Sequence, residues 1–307
     1  MSKLAGLLAV LLVAPVIALA EPATARLEPA LVKAVVRILA KGKRTFTGTG
    51  FIVSHAPEDR SQDRNFYIVT NKHVISDWNV FDGDASENYE TLEVTLPGEA
   101  GASHTFTLKI ADTSGALDKS LVRLHKSAIV DLAAIAVTRD QLSPSAAAPA
   151  SIETSSLVKF EQSDRLLGLG DQVFAIGYPR AIVSMTSAHA AAKAGYLSTQ
   201  PGHPLAVDIR GETRARRVIS RRLGGTIFLV DGLVLPGNSG APVLLTSDVR
   251  LRKNPTTNAV EVRQMKPGVI GIVSSGIEGT GLAIVYSADY ILELIEEFSQ
   301  QRRTTAK

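Results

Sequence analysis

The sequence predicts an all-β protein made of two small barrels and a C-terminal helix. After residue 30, short runs rich in Val, Ile, Thr and Phe recur, and each is bounded by Gly, Pro, Asp or Asn. Many short strands with few long helical patterns are typical of a barrel or a sandwich. The segment Gln141–Ser151 is rich in Pro, Ala and Ser, as connectors are, and it separates two halves of similar strand content.

In the first half, the predicted strands are short apolar runs with β-branched residues. They are Val35–Leu39, Gly50–Val53, Tyr67–Thr70, Thr91–Leu96, Thr105–Ile110 and Ala133–Val137. In the second half they are Val173–Ile176, Ile227–Val230, Pro242–Leu244, Val269–Val273 and Leu282–Val285. The chain then changes period, and Ala288–Phe298 has apolar residues at helical spacing.

These elements divide the chain into five parts. We expect a signal peptide at residues 1–20, an N-terminal barrel at 30–140, a connector at 141–156, a C-terminal barrel with its helix at 157–298, and a tail at 299–307.

Composition excludes several classes of protein. The chain has 307 residues, 45% hydrophobic and 21% charged, which is an ordinary globular balance. A formal net charge of only +3 argues against a nucleic-acid partner. The absence of cysteine excludes disulfides and thiolate metal sites, so an exported protein of this kind depends on its core for stability.

The first twenty residues predict export. Lys3 is followed by an apolar run from Leu4 to Ala20, with small residues at alternate positions before Glu21, as in a secretory signal peptide. The alternative is an uncleaved membrane anchor, which Pro15 and the shortness of the run disfavour. We expect a bacterial periplasmic or extracellular protein with no stable membrane span after cleavage.

Three segments carry candidate catalytic residues. Ser239 lies in Pro236–Pro242, where Gly237 and Gly240 allow a sharp turn that exposes the hydroxyl. Such a turn would also direct the N–H groups of Gly237 and Ser239 into one cavity, where they would stabilise an oxyanion. Alone, this segment predicts no more than a tight turn. However, His73 follows one apolar strand and Asp131 opens another, which supplies a base and an orienting carboxylate.

The order His73, Asp131, Ser239 resembles the chymotrypsin-like serine proteases, and most closely the protease domains of the bacterial high-temperature-requirement family. The resemblance covers roughly residues 30–298. Its matching blocks are Gly48–Val53, Thr70–Val74, Asp131–Ala133, Gly170–Gly177, Pro236–Pro242 and Val269–Val273. It implies two six-stranded antiparallel barrels, with His73 as general base, Asp131 as its partner, Ser239 as nucleophile, and Gly237 and Ser239 as the oxyanion hole. It implies protein or peptide substrates and no cofactor, and the scattered histidines give no zinc site.

The resemblance also locates a specificity pocket before the serine and on a later strand. The residues it implicates are Leu233, Val273, Ser274, Ser275, Gly276, Leu282 and Ala283. The pocket position a little before the serine holds Leu233 and not an acidic residue, so we expect cleavage after small or aliphatic residues rather than after Lys or Arg. Ser274 is also expected to bind the Asp131 carboxylate.

The chain departs from relatives in two places. Asn238 precedes the serine where pancreatic zymogens have aspartate, so activation by pairing with a new amino terminus is not expected. Only 68 residues follow Ser239 (307 − 239), which the last strands and helix should occupy, leaving no room for a PDZ domain.

Six arginines fall between residues 210 and 222: Arg210, Arg214, Arg216, Arg217, Arg221 and Arg222. We interpret this run as a solvated hairpin of the second barrel. The functional alternative is contact with an anionic surface or an acidic substrate.

Two other functions remain open on the sequence. One is a catalytically inactive binding module with a protease fold, against which the complete triad argues. The other is an esterase with the same triad, although the serine lacks the Gly-x-Ser-x-Gly turn of α/β-hydrolases.

Overall fold

The computed structural model describes residues 27–56, 64–98, 103–143, 148–160, 167–180, 190–232, 235–246, 248–253 and 260–305. The predicted signal peptide lies outside the described residues. Within the described ranges, no helix is both long enough and apolar enough to cross a bilayer.

The first half of the chain is mostly strands with three short helices. Its elements are α1 (Pro29–Lys33), β1 (Val35–Lys41), β2 (Thr45–His55), β3 (Asn65–Thr70), α2 (Lys72–Ile75), β4 (Thr91–Pro97), β5 (Ser103–Lys109), β6 (Val122–Leu124), β7 (Ala133–Val137), α3 (Arg139–Leu142) and β8 (Ile152–Glu153).

These strands form one sheet in the order β5-β4-β1-β2-β3-β7-β6, and β8 adds to β2 in parallel. The predicted connector is thus partly built into the first sheet through β8. The first sheet also differs from the expected closed six-stranded barrel, because no strand pairing joins β5 to β6 within the described residues. Turns held by Asp112 and Asp118, which accept backbone N–H bonds from Ser114 and Ser120, occupy the chain between these two strands.

The second half contains the remaining strands and a long helix. They are β9 (Gln172–Gly177), β10 (Ala191–Leu197), β11 (Leu205–Glu212), β12 (Val218–Gly225), β13 (Ile227–Asp231), β14 (Pro242–Leu245), β15 (Asp248–Lys253), β16 (Val260–Met265), β17 (Gly268–Ile277), β18 (Leu282–Ser287) and α4 (Ala288–Thr305).

Six of these strands close into the expected barrel, in the order β10-β13-β18-β17-β14-β9. Two separate two-stranded sheets, β11–β12 and β15–β16, are inserted between barrel strands. The all-β class, the second barrel and the C-terminal helix are therefore confirmed.

Several element bounds differ from the prediction. Strand β10 was not predicted, because its small and polar residues give little hydrophobic signal, and β11 and β12 extend beyond the hairpin that the arginine run predicted. Helix α4 continues past Phe298 to Thr305, into the predicted tail, since Gln and Arg residues there favour a helix.

The two halves share one apolar core. A cluster of buried side chains joins Phe51 and Tyr67 of the first sheet to Ile176 and Ile272 of the barrel and to Phe298 of α4. Two further clusters belong to one half each. Because the shared cluster lies between the sheet and the barrel, it fixes how their facing edges meet, and the candidate site is at that junction.

Candidate active site

His73 and Asp131 meet because their strands are neighbours. β3 and β7 are antiparallel with Thr70 opposite Ala133, so the residue after β3 and the residue before β7 emerge at the same edge. His73 Nδ1 lies 2.5 Å from Asp131 Oδ2, and the His73 backbone N–H donates to Oδ1 at 3.2 Å. The Asn71 side-chain amide donates to the Asp131 carbonyl oxygen at 2.7 Å, which fixes the backbone of this pair.

Asp131 is ionised although it is fully buried. Burial alone would raise the pKa of the Asp131 carboxyl, but the nearby His73 and hydrogen bonds from His73 and Ser274 outweigh burial and lower it. The site therefore holds a buried carboxylate whose oxygens all have donors, and this carboxylate fixes the orientation of the His73 ring.

Ser274 connects Asp131 to Ser239. The register of β17 against β18 shifts between Val273 and Ser275, so Ser274 is at a bulge and leaves the regular ladder. Its hydroxyl donates to Asp131 Oδ2 at 2.7 Å, as the sequence led us to expect. Its carbonyl oxygen accepts from Ser239 Oγ at 3.2 Å.

The three predicted triad residues thus belong to one hydrogen-bonded set, in which the side chain and the backbone carbonyl of Ser274 provide the link to Ser239. Ser239 Oγ makes its hydrogen bond to the Ser274 carbonyl oxygen, and among the described residues none joins it to His73. A hydroxyl held in this way has to turn before His73 can take its proton.

The loop around Ser239 leaves two backbone donors free. The N–H groups of Asn238, Gly240 and Ala241 donate to carbonyl oxygens of Leu235, Val273 and Asn238, respectively. The N–H groups of Gly237 and Ser239 have no acceptor among the residues that the structure describes. Since unpaired backbone donors are rare in folded proteins, this pair is available to bind an anionic oxygen.

Thr49 of β2 anchors this loop, a role that the sequence did not predict. Its hydroxyl donates to the Gly237 carbonyl oxygen at 2.8 Å and accepts from the Tyr178 N–H at 3.0 Å. Its backbone N–H donates to the Ser239 carbonyl oxygen at 2.9 Å. Thr49 is fully buried, and it holds the serine loop of the second half by two hydrogen bonds, while the third binds it to Tyr178. The only sequence signal was its place in the block Gly48–Val53.

Both glycines of the serine loop are required by geometry. Gly237 has a φ of 100°, and a Cβ there would lie 2.5 Å from the Tyr178 carbonyl oxygen. Gly240 has a φ of 89°, and a Cβ there would lie 1.9 Å from the Thr49 carbonyl oxygen. No other residue fits either position without moving the backbone.

Lys72 is buried directly before His73. Its ammonium donates to the Ser127 carbonyl oxygen at 2.8 Å and lies 5.5 Å from the centre of the Trp78 ring. Burial lowers the pKa of Lys72 to about 8, although the Asp131 carboxylate acts in the opposite direction.

A cavity of about 390 Å³ adjoins His73 and Asp131. Its walls are mainly apolar and come from both halves of the protein. The first half contributes Phe46, Trp78, Val80 and Tyr89, and the second half contributes Ile209, Leu223, Ser274, Ser275 and Tyr286.

The predicted pocket residues have different positions. Ser275 and Gly276 are exposed on β17, whereas Val273 and Ala283 are buried in the barrel core. Leu282 is partly buried against the core shared by the two halves. Leu233 lies outside the described residues.

The arginine run forms the hairpin that was predicted, but two of its members are not simply solvated. Arg214 pairs with Asp77, Asp82 and Asp84, and Arg221 donates to the Val80 carbonyl oxygen. The other four arginines, Arg210, Arg216, Arg217 and Arg222, are exposed. The acidic residues at 77, 82 and 84 were a complementary signal that sequence reasoning did not use.

Comparison with known proteins gives one family match. The trypsin-like peptidase domain, as a sequence family, matches residues 48–251 of this chain. That range includes all three predicted triad residues. No curated protein has a sequence that matches the chain.

Solved structures with a similar arrangement include three bacterial proteins. The Rv3671c protease of M. tuberculosis, in its active form, is 16% identical with a TM-score of 0.45, over 88% of this chain and 82% of that one. The MamO protease domain of Magnetospirillum magneticum is 16% identical with a TM-score of 0.45, over 86% and 97%. The HtrA-type protease AlgW with a tripeptide is 16% identical with a TM-score of 0.46, over 87% and 60%. Similarities this low carry no information about substrate or mechanism.

Proposed function

Since this chain belongs to the trypsin-like peptidase family, we propose that it is an exported serine endopeptidase in which Ser239, His73 and Asp131 form the catalytic triad. The observation that carries the proposal is the connected set of hydrogen bonds from His73 through Asp131 and Ser274 to Ser239. A structural role alone would not require a buried carboxylate beneath a partly exposed imidazole.

In the proposed reaction, the Ser239 hydroxyl turns from the Ser274 carbonyl oxygen towards His73. Oγ then attacks the substrate carbonyl carbon while His73 Nε2 takes its proton. His73 returns that proton to the leaving amine nitrogen, the peptide C–N bond breaks, and an acyl-enzyme remains. Water attacks the ester with His73 again as base, which releases the acid and restores the Ser239 hydroxyl.

The free N–H groups of Gly237 and Ser239 would stabilise the negative oxygen that develops during attack. Loss of one such donor costs about 10²–10³ in kcat in enzymes of this kind. Asp131 keeps the His73 ring in the orientation in which Nε2 faces the nucleophile and stabilises the imidazolium when it forms.

We assign a preference for small or aliphatic residues at P1 to the exposed part of β17. Ser275 and Gly276 are uncharged and exposed there, Ala283 stands opposite Gly276 on β18, and Leu282 pairs with Ile277 one position further along. Cleavage sites in a random peptide library would measure this preference. Dominant cleavage after Lys or Arg would contradict it.

Export to the periplasm or the medium follows from the signal-peptide pattern of residues 1–20. The mass of the protein recovered from the periplasmic fraction tests this, because cleavage after Ala20 leaves Glu21 as the first residue. Contact with anionic surfaces through the exposed arginines remains a prediction, and binding to anionic vesicles that falls with salt would support it.

One observation favours the second candidate function, an inactive binding module. The Ser239 hydroxyl is bonded to the Ser274 carbonyl oxygen rather than to His73, so the nucleophile is not activated in this conformation. Catalytic hydrogen bonds are often absent until substrate is bound, so an active enzyme remains the proposal.

Labelling by a fluorophosphonate probe separates the two functions without knowledge of the substrate. We expect the wild-type protein to be labelled and Ser239→Ala to be unlabelled with unchanged thermal unfolding. His73→Ala should also be unlabelled, but less stable, because the buried Asp131 carboxylate loses its partner. Ser198→Ala is the matched control, because it removes an exposed serine hydroxyl that does not line the cavity beside His73 and should leave labelling intact. Absence of wild-type labelling would establish the binding module instead.

A further inference from the structure

The two-stranded sheet β11–β12, here called the hairpin, reaches from the barrel over the first half of the protein. Its inner face carries Val207, Ile209 and Leu223, which belong to or pack against the core shared by the two halves. Ile209 and Leu223 also line the cavity beside His73. One wall of that cavity is therefore supplied by an insertion in the barrel rather than by a barrel strand.

The end of the hairpin is fastened to the segment Asp77–Asp84, here called the acidic loop. The Arg214 guanidinium contacts three carboxylates: Asp77 at 3.6 Å, Asp82 at 3.5 Å, and Asp84. The Arg214 backbone N–H also donates to Asp82 Oδ2 at 3.0 Å.

Backbone contacts reinforce this junction. The Asn79 side-chain amide donates to the Glu212 carbonyl oxygen at 3.1 Å, and Arg221 donates to the Val80 carbonyl oxygen. Phe81 lies so close to the hairpin that a Cβ at Gly211 would be 2.2 Å from its ring. The hairpin and the acidic loop therefore fit each other in one register.

The acidic loop is in turn tied to α2, the helix that carries His73. Ser76 separates the two, and its hydroxyl donates to the Lys72 carbonyl oxygen at 2.8 Å and accepts from the Trp78 N–H at 3.3 Å. A hairpin fastened to this loop is therefore linked to the segment that carries the imidazole, and its position affects the width of the cavity.

The charges around the cavity are already compensated. Asp131 is bound by His73 and Ser274, and Asp77 by Ser86, Glu87 and Arg214. Among the described residues, those that line the cavity include no lysine or arginine. An anionic substrate group would find no cationic partner there, whereas an apolar side chain would contact Trp78, Ile209 and Leu223.

We propose that the hairpin is a specificity wall: Ile209 and Leu223 limit the size of an apolar substrate side chain bound beside His73, and Arg214 is the positioning residue that holds the wall on the acidic loop. This inference rests on the proposed peptidase function. It concerns the substrate side chain that contacts the hairpin, which we distinguish from the P1 side chain on β17 although Ser274 and Ser275 of β17 also line the cavity.

Reciprocal substitutions at Ile209 test the wall. Ile209→Ala widens the cavity and Ile209→Phe narrows it. The substrates are fluorogenic peptides that share one P1 residue and carry Ala, Leu, Phe or Trp at the preceding position. We expect Ile209→Ala to raise the ratio of kcat/KM for Trp over Ala about tenfold and Ile209→Phe to lower it by a similar factor, with both effects mainly in KM. Ile219→Ala is the matched control, since it lies on the same face of the hairpin but does not line the cavity.

Arg214→Ala tests the fastening. We expect the differences in kcat/KM among the four peptides to become smaller in this variant, while its rate of fluorophosphonate labelling stays within about twofold of the wild-type rate. High salt should reduce the differences among the peptides in the wild type in the same way. Arg214→Lys should keep part of the preference. Arg217→Ala is the control, because Arg217 lies in the same turn and makes no ion pair among the described residues.

The outcomes separate this inference from the proposed function. If Ser239 is labelled and the peptides are cleaved, but the preference is the same in wild type, both Ile209 variants and Arg214→Ala, the specificity wall is wrong and the peptidase stands. An equal change in Ile219→Ala would also overturn it. If the wild type is neither labelled nor active, the proposed function fails and the inference fails with it.

Discussion

Thr49→Val removes a single hydroxyl that joins the two halves of the active site. Valine keeps the β-branched shape of threonine, so the substitution leaves no appreciable cavity in a fully buried position. It removes the hydrogen bond to the Gly237 carbonyl oxygen and the bond from the Tyr178 N–H. The backbone bond from Thr49 to Ser239 remains.

The magnitude follows from the two groups left without partners. A buried polar group that loses its partner costs about 1–3 kcal/mol, so the substitution should lower the free energy of unfolding by roughly 2–6 kcal/mol. Gly237 is held at a φ of 100° partly by the lost bond, so part of this energy maintains the oxyanion-binding geometry. If about 1.4 kcal/mol of it does so, kcat falls tenfold.

The assay compares wild type, Thr49→Val and Thr49→Ser by kcat and KM on one peptide, by fluorophosphonate labelling and by thermal unfolding. We expect Thr49→Val to lose at least tenfold in kcat with KM little changed, at a temperature where it is fully folded. Thr49→Ser keeps the hydroxyl and should keep most of the activity. A Thr49→Val protein that is less stable yet has wild-type kcat would refute the positioning role, as would equal losses in both variants.

Three other predictions concern residues around the same site. Asp131→Asn should reduce kcat by a factor of about 10⁴, which is the loss found for that exchange in Ser-His-Asp proteases. The variant should still fold, and kinetics together with circular dichroism would check both expectations. The folded protein releases the Lys72 proton near pH 8, whereas the unfolded chain holds it to about 10.5, so unfolding free energy should rise between these values. In denaturation experiments across this pH range, the free energy of unfolding of Lys72→Met should not show that rise, and this variant should be more stable than wild type at neutral pH by up to about 3 kcal/mol. An identical pH dependence of the unfolding free energy in both proteins would contradict the assignment. Gly240→Ala should lower stability by more than about 3 kcal/mol because its Cβ would meet the Thr49 carbonyl oxygen, whereas Gly279→Ala, with a similar φ of 74° and nothing within 4 Å, should cost only about 1 kcal/mol in thermal melts.

Local patterns were enough to predict much of the fold. Strands β3, β7 and β13 are continuous apolar runs, and the sequence therefore locates them closely. The meeting of His73 with Asp131 was also predictable, because each stands at the end of such a run. The hydrogen bond from Ser274 to Asp131 was expected from the family resemblance.

Long-range contacts were not predictable in the same way. Arg214 meets carboxylates 130 and 132 positions earlier in the chain, and charge alone does not distinguish a paired arginine from a solvated one. The role of Thr49 depends on the approach of β2 to the serine loop, 188 residues away, which no periodicity encodes. Among the described residues β5 and β6 stay unpaired, and turns at Asp112 and Asp118 occupy the chain between them, an arrangement that strand propensity alone does not predict.

The packing of helix α4 against the first sheet bears on how the protein is made. Phe298 lies against Tyr67 with ring centres 5.5 Å apart, and Ile291, Leu294 and Ile295 bury themselves in the same core. During synthesis, the sheet that carries the imidazole and the carboxylate leaves the ribosome long before the residues that cover its apolar face. The core that joins the sheet to the barrel can therefore form only after residues 288–298 have been added to the chain, so the candidate site is assembled late in folding and not by the first half alone.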